Sequence, residues 1–380
     1  MEFTARYSKI LKDLARKSRL RSLGFSSGVD FTSHDYLGLA RSGLLIDPVI
    51  HALQKGTRLG AGGSRLLCGH CPEHARLEEE AATFFGAESA LFFNSGYMAN
   101  SAVFSTLPQR GDLLLLDAHV HASTHDGVRA SRASYEIILH NDLCAFERAL
   151  KKWSLNRKPK THPWIVVESL YSMGGDRAPL EDLMALADRY HGFLVIDEAH
   201  ATGIFGPSGR GLGAHLEGRE NVLAIHTCSK ALGVSGALLT GSQVFCDFLV
   251  NRARPFIYST APSPIIAVAV SHALHFLKKD SAHQERLKSL IAFAHEKLGQ
   301  IKGICSFLGS PILPVIIGES TATMATAQWL QLQGLDVRGI RPPTVPEGTA
   351  RLRISITLNI SYRDIERLHD ALAMAEETHY

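Results

Sequence analysis

FLVIDEAHATG (193–203) and AIHTCSKALGVSGALL (224–239) frame the reading of this chain. Phe193, Leu194, Val195 and Ile196 make the short apolar run of a buried strand, with Asp197 and His200 just past its end. A second run, 222–225, hands over in the same way to His226, Thr227, Ser229 and Lys230. Two adjacent strand ends of an α/β sheet would thus bring a carboxylate, an imidazole, hydroxyls and an amine to one crevice. Ligands of open α/β sheets bind at such carboxyl ends.

Pyridoxal-phosphate catalysis needs this set: a lysine for the Schiff base and an acid for the pyridinium nitrogen. Lys230 and Asp197 suit those two roles. IDEAHATG and HTCSKALGVSGA moreover resemble the aspartate and lysine segments of the α-oxoamine synthases, pyridoxal-phosphate enzymes of aminotransferase-like fold. The resemblance runs from about Phe31 to the C-terminal helix. It implies a fold type I architecture: a large, mostly parallel sheet domain (41–280), a smaller α+β C-terminal domain (281–380), and an N-terminal helix with connector (1–40).

Pattern supports that layout independently. Strands at 90–93, 113–116, 135–139, 164–167, 193–196 and 222–225 alternate with helical stretches at 72–85, 143–153 and 180–190. Such alternation argues for a parallel sheet covered on both faces. Further on come helices at 263–278, 282–301 and 320–333 and an apolar strand in PILPVIIG (311–318). RPPTVPEGTARLRISITL (341–358) alternates from Arg351, with Leu352, Ile354, Ile356 and Leu358 on one face. A solvated edge strand fits Arg351. Phe3, Tyr7, Ile10, Leu11 and Leu14 recur at helical spacing, so an N-terminal helix lying on the body is expected.

The remaining candidate site residues come from this order of segments. NSGYMAN (94–100) joins a strand to a helix N-terminus, where free backbone N–H groups favour an anion. Its match to the family pattern makes Gly96 and Tyr97 the phosphate-binding candidates. The resemblance implies that His121, in HAS (121–123), stacks on the cofactor ring, and that His200 bonds its phenolic oxygen. It implies likewise that Ser172 and Glu168, in ESLYSMGGDRAPL (168–180), border the cofactor and that Thr227 joins its phosphate. On the same resemblance Lys230, His121, Asp197 and His200 would form the catalytic set. In RARPFIYSTAPSP (252–264), Ser259 and Thr260 would reach the phosphate of a neighbouring subunit, making a homodimer functional. Arg353 would clamp a substrate carboxylate, as a bidentate guanidinium can. Thr344 would touch substrate, and Arg21 would meet the acyl donor.

Within the family, segment order and chain length favour a member condensing L-alanine with a pimeloyl thioester, on coenzyme A or a carrier protein. Relatives using glycine or serine are the alternatives. The family's SNDYLGL is SHDYLGL here, so His34 stands where an asparagine helps hold the substrate carboxylate. A histidine can donate the same bond, but its size and charge bear on amino-acid choice. Leu358, Asn359 and Ile360 also depart from the family pattern.

Composition sets wider bounds. At 380 residues, with 45% hydrophobic and 20% charged, the chain supports a substantial core. A net charge of +3 gives no reason to expect nucleic acid or a membrane surface. No apolar run is long enough to span a bilayer, and the first residues lack a signal-peptide core. Six cysteines in such a length do not read as a disulfide framework, so a reducing cytoplasm is expected. Two rivals come from other classes. Cys68, His70, Cys71 and His74, and separately His119, His121 and His125, have metal-like spacing, but no second CxxC completes a zinc set, so no metal is expected. A cofactor-binding protein that has lost catalysis is the other; the intact lysine, aspartate and histidines argue against it.

Overall fold

The computed structural model describes residues 3–305 and 307–379. The chain forms two compact units. One holds the residues up to Tyr36, Met173–Asp176 and the chain from Glu285 on; the other holds Leu37–Ser172 and Arg177–Gln284. In chain order the first strands are β1 (Val29–Asp30), β2 (Ser89–Phe93), β3 (Leu113–Asp117), β4 (Ser134–Ile138), β5 (Pro163–Glu168) and β6 (Phe193–Asp197). Then come β7 (Val222–Thr227), β8 (Ala237–Gly241), β9 (Ile312–Gly318), β10 (Leu335–Asp336), β11 (Arg338–Ile340) and β12 (Ala350–Ser355).

The unit from Leu37 is built on a seven-stranded sheet in the order β2-β8-β7-β6-β5-β3-β4. Strands β3 to β7 are parallel, while β8 runs antiparallel to both of its neighbours. The apolar runs follow from burial on both faces. Leu114, Leu116, Val166, Val195, Leu223 and Ile225 pack on one side, and Leu113, Leu115, Val167, Leu194, Ile196 and Val222 on the other. Side chains alternate along a strand, so Glu168, Asp197 and Thr227 continue the first face, and Ser169, Glu198 and His226 the second.

Helix boundaries follow local chemistry. Pro72–Phe85 opens on a proline and closes on Gly86 in the left-handed region. Ser95 caps Gly96–Thr106 by accepting the Met98 N–H, and Asp142 caps Leu143–Ser154 by accepting that of Ala145. The helix Gly43–Gln54 carries Pro48 inside it and is absent from the sequence expectations. Within the glycine-rich segment, Gly69 lies so near Gly63 that a Cβ would sit 2.2 Å from the Gly63 carbonyl oxygen.

The other unit contains an antiparallel sheet β11-β12-β9, a parallel pair β1–β10, and the helices Ser320–Leu332 and Tyr362–His379. Two expectations are corrected here. β12 is the central strand, not a solvated edge: β9 and β11 flank it, and Arg353, Ser355 and Thr357 are buried with the apolar residues. Arg351 is half-buried, its guanidinium donating to the Met173 and Thr349 carbonyls. The N-terminal helix forms, as Ala5–Arg16, but buries none of its residues. Tyr7 is 65% and Leu11 52% exposed, so most of this apolar face is left uncovered, with Leu14 half-buried. What anchors the segment is polar: Arg19 pairs with Glu347, and Arg341 donates to the Leu20 carbonyl.

Candidate active site

Three parallel strands end side by side on Glu168, Asp197 and Thr227. Beyond β7 the chain folds into a tight turn, closed by Cys228 N–H to Gly236 O and Gly233 N–H to Lys230 O, both 2.8 Å. Lys230 projects from that turn, half-buried. Gly203 (φ +84°) brings the 197–203 turn against it, since a Cβ there would lie 2.5 Å from the Ala231 methyl. His200, in the same turn, is buried.

A hydrogen-bond relay ties the face of this site together. Asn100 Nδ2 donates to Asp197 Oδ2 and to Ser123 Oγ, 3.0 Å each. Ser123 Oγ lies 2.7 Å from His121 Nδ1, which also caps its own helix by accepting the Ser123 N–H. Accepting at Nδ1 leaves the ring proton of a neutral His121 on Nε2. Burial lowers the His121 pKa; the Asp197 charge opposes this and the Lys230 charge adds to it. Asn100 and Ser123 are absent from the sequence candidates. Asn100 stands one helical turn beyond Gly96, on the same face, and Ser123 lies inside the quoted HAS segment, so both carried a legible signal.

Burial pushes the Glu168 carboxyl up to about 8; the Asp197 carboxylate adds to the rise and Lys230 opposes it. Glu168 Oε2 accepts the Ser172 N–H at 3.0 Å. Gly96 begins its helix beside Thr227, whose Oγ1 would be 3.5 Å from a Cβ at that glycine. Tyr97 is half-exposed, its hydroxyl donating to Asp126. Ser259 is half-buried and Thr260 exposed, the latter's carbonyl accepting from Asn94.

The substrate candidates fall in the other unit, in two pairs. Arg353 Nη2 donates to His34 Nε2. Tyr36, fully buried, lies 5.9 Å from His34 by ring centroids. Burial lowers the Arg353 guanidinium pKa, with Tyr36 acting the other way. Arg21 Nη2 donates to Thr344 Oγ1 at 3.3 Å, both exposed.

The metal-like spacings resolve into other contacts. His70 Nδ1 accepts from Arg65, and His74 Nε2 donates to the Pro262 carbonyl at 2.8 Å. His119 stacks on His140, which bonds Asp117 at 2.8 Å. Among the described residues no group of three or more His, Cys, Asp or Glu could hold a metal ion.

Glu168 Oε1 and Asn100 Oδ1 are buried without a hydrogen-bond partner among the described residues. Buried polar atoms are rarely left so, which marks the set as receiving a polar ligand. Its chemistry fits pyridoxal phosphate: an amine for the aldehyde, a carboxylate for the ring nitrogen, and a helix N-terminus with Thr227 for the phosphate.

Known proteins agree. The family described as aminotransferase class I and II matches residues 26–372. The chain is 41% identical to an 8-amino-7-oxononanoate synthase of Herminiimonas arsenicoxydans, covering 92% of this chain and 90% of that one. It is 39% identical to 8-amino-7-oxononanoate synthase 2 of Bacillus subtilis (89% and 85% covered). Among solved structures, a serine palmitoyltransferase from S. paucimobilis with a bound PLP–myriocin aldimine matches at TM-score 0.89 and 25% identity over 99% of both chains. An 8-amino-7-oxononanoate synthase from Francisella tularensis matches at TM-score 0.77 and 27% identity, over 92% of this chain and 98% of that one. The chain therefore belongs to the aminotransferase class I and II family, as a pyridoxal-phosphate-dependent acyltransferase of the α-oxoamine synthase group.

Proposed function

We propose that the enzyme condenses L-alanine with a pimeloyl thioester to give 8-amino-7-oxononanoate. The observation that carries this reading is the 39–41% identity, over about nine-tenths of the chain, to synthases of that name. When bound, pyridoxal phosphate supplies an electron sink for charge at the amino acid's α-carbon. Lys230 would hold the cofactor's aldehyde through Nζ, and its amine is the base placed to take the α-proton. Asp197 would favour the protonated ring nitrogen, because an opposite charge stabilises that cation, and Asn100 holds the Asp197 carboxylate in place. His121 would serve the ring face and His200 the phenolic oxygen. Glu168, its carboxyl pushed up by burial, borders the site with Ser172. The N–H groups of Gly96 and Tyr97, with Thr227, take the phosphate. Arg353 and His34 take the amino acid's carboxylate; Arg21 and Thr344 meet the acyl donor. Across the reaction a bond forms between the α-carbon and the acyl carbonyl carbon. The C–S bond breaks, releasing the thiol; the carboxylate leaves as carbon dioxide, and a proton is returned to the α-carbon in its place.

The same reading assigns a cytoplasmic homodimer in which Ser259 and Thr260 reach the neighbouring copy's phosphate. Six cysteines in a chain of 380 residues support a reducing compartment; among the described residues no helix is long and apolar enough to cross a membrane. A second reading, with L-serine and another acyl thioester, draws on the 0.89 TM-score to serine palmitoyltransferase.

The test is a visible spectrum of purified holoenzyme titrated separately with L-alanine, glycine and L-serine, then mass spectrometry after adding pimeloyl-CoA. A violet-region band that responds selectively to L-alanine, followed by the mass of 8-amino-7-oxononanoate, is expected. Selective response to serine or glycine moves the substrate. A protein that stays colourless after added pyridoxal phosphate sinks the reading.

A further inference from the structure

We infer that His34 is a titrating second donor of the carboxylate clamp, so that a substrate carboxylate binds together with one proton. This rests on the proposal that Arg353 receives the amino acid's carboxylate. The geometry behind it is the bond from Arg353 Nη2 to His34 Nε2. A guanidinium only donates and does not lose its proton, so Nε2 must offer a lone pair. That arrangement corresponds to a neutral His34 with its proton on Nδ1.

Arg353 is only 8% exposed, so its charge is held largely away from water. An arriving carboxylate competes for the N–H that His34 now accepts. Its two oxygens offer about four acceptor positions, enough for the guanidinium and one more donor. A proton taken from solvent onto Nε2 turns His34 into that donor. Without the anion, a second cation beside Arg353 is unfavourable; with it, the cluster keeps the single positive charge it had before. An asparagine in this position would donate with no proton change. The histidine thus adds pH dependence to carboxylate capture.

The surrounding groups leave His34 as the titrating partner. On its own connector, Asp30 Oδ1 accepts the Thr32 and Ser33 N–H groups, and Asp35 Oδ2 accepts from Asn359. Tyr36 is driven further up by burial and stays neutral. Opposite Arg353 stand Arg338 on β11, paired with Asp336, and Pro314 on β9; Arg351 on β12 bonds the Met173 carbonyl.

The experiment is calorimetry of propionate binding to the holoenzyme, in two buffers of different ionisation enthalpy, between about pH 5.5 and about pH 8.5. Propionate has the carboxylate but no amine, so it cannot enter the cofactor chemistry. Wild type should take up as much as one proton per site, with Kd tightening up to about tenfold per unit of falling pH. His34→Asn and His34→Gln, checked for fold by circular dichroism, should bind propionate with no uptake and a flat Kd. Uptake absent from wild type, or unchanged in both variants, overturns the inference alone. Arg353→Gln should abolish binding. Propionate that fails to bind wild type, or still binds Arg353→Gln equally well, removes the clamp reading and the inference with it.

Discussion

Glu168 is fully enclosed beside the Asp197 carboxylate, and its carboxyl rises from 4.5 to about 8. The folded state therefore holds this proton more tightly than the unfolded chain does. Its contribution to stability is complete below about pH 4.5 and is lost as pH rises through about 8. In cofactor-free protein, Glu168→Gln should match wild type near pH 4.5 and exceed it near pH 9 by a few kcal/mol, on the order the shift implies. Urea unfolding at the two pH values reads this directly. Parallel pH dependence in the two proteins would show that Glu168 is ionised after all. Sequence made Glu168 a site residue by its place in the 168–180 segment, but its protonation state depends on Asp197, which lies 29 positions away in the chain.

At the scale of elements, the sheet's second face carries a polar layer behind the site. Glu198 accepts from Ser169 Oγ at 2.6 Å, Leu212 N–H at 3.1 Å and the Gly213 N–H. Thr202 bonds the buried His226 at 2.8 Å; Glu217 in turn meets His226 at 3.3 Å and accepts from Thr240 at 2.7 Å. Each of Ser169, Glu198 and His226 neighbours a residue assigned to the cofactor: Glu168, Asp197 and Thr227. The layer thus holds the strand ends in register. Glu198→Ala strands a buried hydroxyl and two N–H groups and should cost about 2–4 kcal/mol in denaturant unfolding. A loss below about 0.5 kcal/mol, the level of an ordinary surface change, would show that the layer does not stabilise the sheet. IDEAH displays Glu198 plainly, yet a carboxylate after a strand reads equally as a solvated end. Only packing encloses it.

At the scale of the whole molecule, the N-terminal helix presents Tyr7, Ile10 and Leu11 to solvent, with Phe3 exposed just before it. Apolar surface of that kind usually marks an interaction site, and a second copy of the chain is the occupant the homodimer proposal supplies. Multi-angle light scattering should give a dimer for wild type at micromolar concentration. Tyr7→Glu with Ile10→Glu should raise the monomer fraction. A wild-type monomer in the presence of pyridoxal phosphate would remove the dimer, and with it the roles given to Ser259 and Thr260.

The reach of local information explains what was legible. Apolar runs, turn residues and helix caps act within a few positions, so the alternating α/β pattern and the placing of Asp197 and Lys230 at strand ends could be read directly. Strand order could not: β8 enters antiparallel between β2 and β7, a choice made by pairing between distant segments. Nor could the covering of β12 on both faces, since an alternating strand looks the same whether its polar side meets water or protein. The contact of His34 with Arg353 joins residues 319 positions apart, and Asn100 meets Asp197 across 97. Such pairings are made when the chain closes loops of that length to bury its core. Residue identity set what each group can do; the folded chain set which groups meet.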